Sequence, residues 1–373
     1  MDAKITKQRL GRMLSYDWIK IIGIIVAICI VWSLIFTMTA TQITATQKFY
    51  VYNYIGNCSF SDEFNDLYNK AFNDGVFSYE ILEITQEELT TEVNTILEAR
   101  FSVGEGDLMF VAHAPNKKDS YKVGEGEEEK TLYRNYTETF ARSRIRYMYN
   151  LEGEGNYFAQ MEGYLSQYFF EADDLAALRK GEMEEKDLTP DWDDGEIYEE
   201  KVKADFRARV KKDKRFKTEA QLLQGEKDDV KRLESYRAAL NEFYEYLNVQ
   251  KIVKFETVTL TDGNGTETDY TCYLNLNPST ERIDGATGEV VKDEDGYTLY
   301  DETVKGLTKY LAYNEELVND EGKTKLNTTS KNMCVAFLSM ESLEKQYQVE
   351  EGFQGECLLF VNMLIRAAHG FDI

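Results

Sequence analysis

Histidine is nearly absent: His113 and His369 are the only two in 373 residues. Any mechanism built on a histidine cluster, a Ser-His-Asp triad or a histidine-rich zinc site is starved of parts. The five cysteines, Cys29, Cys58, Cys272, Cys334 and Cys357, form no C-x-x-C pair. Scattered singly, they read as small buried apolar residues. The four beyond Cys29 could instead form two disulfides in three ways, and the spacing does not choose. Basic charge is also short, with 43 Lys and Arg against 67 Asp and Glu and a net charge of −24. Nucleic acid, whose phosphates reward a basic surface through counterion release, is excluded as a partner. What is plentiful is apolar surface, at 43% of residues with 13% aromatic, enough to build a core.

The charge is unevenly placed. Residues 1–20 carry five basic groups against two acidic, and residues 21–40 carry none. The remaining 333 residues hold 38 basic and 65 acidic groups, a net −27. The uncharged run IIGIIVAICIVWSLIFTMTA is 20 residues long, and about 20 apolar residues span a bilayer's hydrocarbon core. It exceeds the roughly 7–15 residues of a signal peptide's apolar core, so residues 21–40 read as an uncleaved anchor. Trp18 stands at its entry, Lys20 can snorkel to the headgroups, and Ile21, Trp32 and Phe36 belong to the span. The positive flank precedes the helix, which predicts a cytoplasmic N-terminus and a body outside the cell membrane. A basic cytoplasmic segment (1–20), the anchor (21–40) and a juxtamembrane spacer (41–48) therefore precede the body.

The start of the body is legible. FYVYNYI (49–55) predicts a strand, and Phe64, Leu67, Tyr68, Ala71 and Phe72 recur at helical spacing after a cap at Ser59 or Ser61. FSYEILEI (77–84) predicts a second strand. Thr85-Gln86-Glu87-Glu88 then fits a capping box opening a helix through Leu89, Val93, Ile96, Leu97 and Phe101. Gly104 and Gly106 precede a third strand, DLMFVA (107–112). Alternation of this kind predicts parallel strands, hence an α/β fold. Residues 131–180 read as helical and aromatic, and 198–247 as two or more amphipathic helices. The basic run RARVKKDKRFK (207–217) reads as a solvated helix face, with anionic headgroups as the alternative contact. KIVKFETVTL and TDYTCYLNL flank Asp262-Gly263-Asn264-Gly265 as a hairpin, and a second hairpin-like pair surrounds Asp293–Gly296. NMCVAFL (332–338) predicts a buried strand, and CLLFVNMLIRAA (357–368) a core helix stopped by Gly370.

Candidate chemistry is sparse. The aspartate-rich loops fail the EF-hand register: Gly195 as position 6 puts Pro190 at position 1, and the 262–269 loop has Glu267 where Gly belongs. No metal or other cofactor is expected. The Gly-Glu-Gly units at 104, 124 and 153 place a carboxylate where a phosphate would sit. Adjacent acids such as Asp173/Asp174 and Glu199/Glu200 are what so acidic a chain supplies by chance, so glycoside hydrolysis is not assigned and the chain is not expected to be an enzyme. Ligands of open α/β sheets sit beyond the strands' carboxyl ends. That rule selects Tyr54 and Asn57 after the first strand, Thr85 after the second and His113 after the third. Trp192, the one Trp outside the anchor region, is a candidate stacking platform.

The 49–114 region resembles the start of the extracellular solute-binding proteins of ABC importers. The resemblance is carried by Glu92-Val93-Asn94-Thr95-Ile96-Leu97 and then Gly106-Asp107-Leu108-Met109-Phe110. CVAFL (334–338) followed by ECLLFVNMLI (356–365) looks like that family's late strand and returning helix. The resemblance covers about 100 of the 333 outside residues. It implies two α/β lobes hinged around a solute: residues 49–130 and 331–373 in one lobe, and a helix-rich second lobe with β-hairpins at 131–330. It also implies capture of a small polar solute, a sugar for preference, and its delivery to ABC permease subunits. The chain departs from the family's sugar binders in tryptophan content and from its lipid-anchored members in lacking a lipidated cysteine. The alternative is an interaction or sensing module of a membrane complex with the same fold and no transport.

Overall fold

A computed structural model describes residues 7–39, 47–54, 60–73, 77, 81–88, 93–102, 105–123, 129–339 and 355–371. The chain divides into two compact units, residues 1–43 and 44–373. The first unit is one helix, α1 (Lys7–Thr39), of 33 residues. Its stretch Trp18–Phe36 is long and apolar enough to cross a membrane, and none of it is buried by protein. Trp18, Lys20, Trp32 and Phe36 are all exposed on it; the side chain of Ile21 lies outside the described residues. The helix starts well before the apolar run, so the basic segment from Lys7 onward is helical too.

The second unit is built on a six-stranded sheet. Its strands are β1 (Lys48–Asn53), β2 (Glu83–Glu88), β3 (Leu108–Ala112), β8 (Lys254–Thr261), β9 (Glu267–Asn275) and β14 (Met333–Phe337), in the order β2-β1-β3-β14-β9-β8. β1 runs parallel to β2 and β3, and β14 enters antiparallel beside β3. Two cores lie on the sheet's two faces. Phe49, Val51, Leu108, Phe110, Val335 and Phe337 point to one face, and Tyr50, Tyr52, Met109, Val111, Cys334 and Ala336 to the other. Strands buried on both faces must be apolar at every position, which is why β1, β3 and β14 stood out in the sequence.

Four helices cover the first face: α2 (Asp62–Asn73), α5 (Tyr157–Leu165), α8 (Glu219–Tyr244) and α9 (Glu356–His369). Phe360 of α9 lies among Phe49, Phe64, Tyr68 and Phe77, with ring centres 5.7–6.3 Å away. α3 (Val93–Ser102) and α4 (Tyr136–Arg144) cover the second face through Leu97, Phe101, Phe140 and Ala141. Ser61 caps α2 by accepting from the Phe64 amide at 3.0 Å. Gly370, at φ +75°, ends α9. The remaining helices are α6 (Ala172–Lys180) and α7 (Glu199–Arg209). Four short ribbons complete the unit: β4 (Pro115–Val123) with β5 (Lys130–Asn135), β6 (Phe169–Phe170) with β7 (Glu196–Ile197), β10 (Ser279–Glu281) with β11 (Tyr300–Glu302), and β12 (Tyr313–Val318) with β13 (Thr324–Thr329).

Several expectations are corrected. The second strand lies at Glu83–Glu88, not at 77–84, and Thr85-Gln86-Glu87-Glu88 is strand where a helix cap was expected. β2 is an edge strand, and edges are commonly kept polar. Lys48 meets Glu83 at 3.6 Å and Gln86 donates to Asn65 at 2.9 Å. Pro115–Val123 pairs with Lys130–Asn135 as a solvated antiparallel ribbon, and only from Tyr136 does the expected helix begin. The late segments join the first strands: β14 pairs with β3 and α9 packs beside α2. The middle does not build a separate sheeted lobe. β8 and β9 extend the same sheet, and Phe158 of α5 stacks on Phe243 of α8 within that sheet's core.

Candidate functional site

The strand order reverses at β1. From it the chain passes through α2, on one face, to β2, and from β2 through α3, on the other face, to β3. At such a switch point, beyond the carboxyl ends of the strands, ligands of open α/β sheets bind. Three residues stand there: Asn53 at the end of β1, Tyr54 after it and His113 after β3.

Asn53 is the unusual one. Only 2% of it is exposed, and neither its amide nitrogen nor its oxygen has a hydrogen-bond partner among the described residues. A buried polar group left so costs about 1–3 kcal/mol. The register pairs Asn53 with Phe110, so its side chain leaves on the face that carries Phe60 and Phe64. The stretch FYVYN carried a signal: asparagine disfavours strand interiors, and here it ends an otherwise apolar strand. Sequence reasoning began the site one residue too late, at Tyr54.

Tyr54 donates its backbone N–H to the Phe110 carbonyl at 2.8 Å. Its ring packs against Phe140 and Tyr136 of α4, at 5.4 and 6.4 Å between centroids. Burial raises its phenol pKa, so the hydroxyl stays protonated. His113 is tied down at both ring nitrogens. Nδ1 lies 2.9 Å from the Thr137 hydroxyl, and the Asn135 amide reaches Nε2 at 3.0 Å. Glu256 stands 3.8 Å from Nε2. Burial lowers the His113 pKa against the pull of Glu256, which keeps the imidazole neutral. Beyond it the rim continues with carboxamides. Asn275 donates to Glu256 and to Asn332, both at 3.2 Å, and Asn332 accepts the left-handed φ of +49° that non-glycine residues seldom adopt.

Tyr54 and His113 are thus brought to one rim, both against α4, whose Thr137 is wholly buried and whose backbone carbonyl there accepts from the Tyr273 hydroxyl at 2.8 Å. Thr85 is not on that rim: it lies inside β2, opposite Tyr50. Trp192 is half-buried in the segment between α6 and β7 and packs near Tyr244, 6.4 Å between ring centroids. That contact explains it as part of the first-face core. Asn57 lies outside the described residues. The sequence reading missed Asn53, Asn135 and Thr137.

Other candidates are absorbed by structure. Asp262 accepts from the amides of Asn264 and Thr266, at 2.8 and 2.9 Å, as a hairpin turn requires. In the basic run, Arg207 bonds Glu219 and Glu226, Arg209 bonds Asp229, and Arg215 bonds Asp213. Cys272, Cys334 and Cys357 are buried free thiols whose pKa is raised by burial. Among the described residues, no group of three or more His, Cys, Asp or Glu side chains could hold a metal ion. Comparison with protein-family models, with curated proteins and with solved structures finds no match to this chain.

Proposed function

We propose that residues 44–373 form an extracytoplasmic binding module, anchored by α1 with its N-terminus in the cytoplasm. It takes a small neutral polar solute beyond the carboxyl ends of β1 and β3, for hand-over to an importer of the ABC type. The observation that carries this reading is Asn53, a buried carboxamide at the switch point whose donor and acceptor have no partner among the described residues. A solute offering an acceptor beside a donor, as a sugar hydroxyl pair or an amide does, would satisfy both atoms. Around it stand a protonated Tyr54, a neutral His113 and the carboxamide of Asn332, with the Glu256 carboxyl group 3.8 Å from His113 Nε2. The resemblance to solute-binding proteins supports it from the sequence side.

A second reading has its own observation. Both nitrogens of His113 and the ring of Tyr54 are already engaged by α4 and the residue before it. A rim closed by the chain's own helix suits an interaction or sensing module that no longer delivers a solute. The deciding experiment is a thermal-shift screen of the full-length chain in detergent against sugars, amino acids and short peptides, with Asn53→Leu alongside. Solute binding predicts a ligand-dependent rise that Asn53→Leu abolishes. A folded sample that responds to nothing in the panel would sink the solute reading.

A further inference from the structure

His113 holds the cap of a helix. Its ring stands just after β3, and α4 begins against it with Asn135 as the N-cap. Asn135 and Glu138 form a reciprocal capping box. The Asn135 backbone amide donates to Glu138 Oε2 at 3.2 Å, and the Asn135 side chain accepts from the Glu138 amide. The box commits the side-chain oxygen of Asn135 to the helix, so its NH2 group is what reaches His113 Nε2 at 3.0 Å. Nε2 is then the acceptor. The ring hydrogen stands on Nδ1 and is donated to the Thr137 hydroxyl at 2.9 Å. One neutral tautomer thus serves both the cap and the first turn of α4.

A second proton can go only to Nε2, where it would set two donors face to face. The acceptor on that side is Glu256 Oε1, 3.8 Å away. The other oxygen of that carboxylate faces Lys254 at 3.1 Å and Asn275 at 3.2 Å. A protonated ring therefore gains Glu256 and loses Asn135, which must withdraw or turn its oxygen to the ring. Either movement breaks the capping box. The first turns of α4 are what close the rim: Tyr136 and Phe140 pack on the Tyr54 ring, and the Tyr136 amide donates to the Ala114 carbonyl at 2.9 Å. We propose that protonation of His113 uncaps α4 and opens the rim around Tyr54, an acid-operated gate. Around the ring stand Glu256 and Lys254 of β8, Glu138 of α4, Cys334 of β14 and, beyond Thr137, Tyr273 of β9. Burial opposes the proton, as does Lys254, against the pull of Glu256 and Glu138. The closed rim is accordingly stable above the ordinary imidazole value near 6.5 and weakens as pH falls below it. Such a gate regulates the rim proposed above for a solute. Its test needs no solute, so the failure of either leaves the other standing.

The test follows the histidine ring signals of the isotope-labelled full-length chain in detergent, from about pH 7.5 to about pH 4.5. The chain has two histidines, so His369→Gln assigns both signals. His113 should titrate from the Nδ1–H tautomer. Hydrogen exchange over residues 136–140, corrected for its intrinsic pH dependence, should quicken about tenfold in step with it. His113→Gln should remove that pH response, and Glu256→Gln should move its midpoint to lower pH. Asn135→Ala should exchange fast at every pH. The two readouts of the parent decide the matter even where a variant fails to fold. Exchange over 136–140 that ignores pH, that quickens apart from the His113 titration or that quickens equally in His113→Gln would overturn the gate. So would a neutral ring with its hydrogen on Nε2.

Discussion

The two ends of the central sheet are both polar, but in opposite ways. At the carboxyl end stand carboxamides, a phenol and an imidazole, namely Asn53, Tyr54, His113, Asn275 and Asn332, with Glu256 beside His113 and Asn275. At the amino end of β3 two carboxyl groups are buried together, Asp107 and Glu356, with Tyr236 and Cys357 beside them. Asp107 accepts from the Tyr50 amide at 2.7 Å and its backbone carbonyl accepts from the Leu338 amide at 2.9 Å, so it ties three segments of chain. Burial, reinforced by Glu356, raises its pKa to about 7. The lesson is that one end couples the fold to protons while the other holds a buried carboxamide with no hydrogen-bond partner among the described residues.

The largest expected effect tests the acidic end. An aspartate ordinarily titrates near 3.8, and in the folded chain Asp107 is pushed up to about 7. The folded state therefore binds the proton more tightly than the unfolded state. Its stabilising contribution is present below the unfolded value and lost as pH rises through 7. The loss across that window is on the order of 4 kcal/mol. Denaturation of the parent between pH 4 and 8 should show it, and Asp107→Asn should flatten that component of the profile. Parallel profiles for the two proteins would refute the assignment.

Next comes packing at the same end. A Cβ on Gly355 would stand 2.7 Å from the ring of Tyr236, which is wholly buried and has nowhere to retreat. Gly355→Ala should cost about 1–3 kcal/mol, read as a lower denaturation midpoint with an unchanged slope. At the carboxyl end the sign reverses. Asn53→Leu removes an unsatisfied buried carboxamide and should stabilise the ligand-free chain by about 1–2 kcal/mol, equally at pH 5 and pH 8. A loss of stability would mean that Asn53 is already satisfied. The smallest effect belongs to Thr85. As a residue inside an edge strand it should tolerate Thr85→Val within about 0.5 kcal/mol, with solute response intact. A helix cap would have lost about 1 kcal/mol instead.

The two ends were not equally legible. Tyr54 and His113 follow the apolar runs FYVY and LMFVA, so the sequence placed them correctly at or just beyond strand ends. Thr85 was misplaced because β2 is polar and the apolar run FSYEILEI, which begins six residues before it, mimicked a strand. Asn53 was overlooked because nothing local distinguishes an orphaned carboxamide from a satisfied one. Its condition depends on Phe110 and the α2 aromatics, more than fifty residues away or across a loop. β4 and β5 were hidden for a related reason: PNKKDSYKV has no buried face, and without burial there is no apolar alternation to read.

The sequence by itself determined the membrane-length helix, the doubly buried strands β1, β3 and β14, and the core helix α9. Burial on all sides demands apolar residues whichever neighbours provide it, so composition alone reveals such segments. Tertiary structure decided where they go. It inserted β14 between β3 and β9, brought Asn332 to the backbone of His113 at 2.9 Å, and set Glu356 against Asp107. Those partners lie some 220 to 250 residues apart in the chain. Local pattern cannot encode which of many apolar strands pairs with which, and only the pairing determines which polar groups are shared, charged or left without a partner.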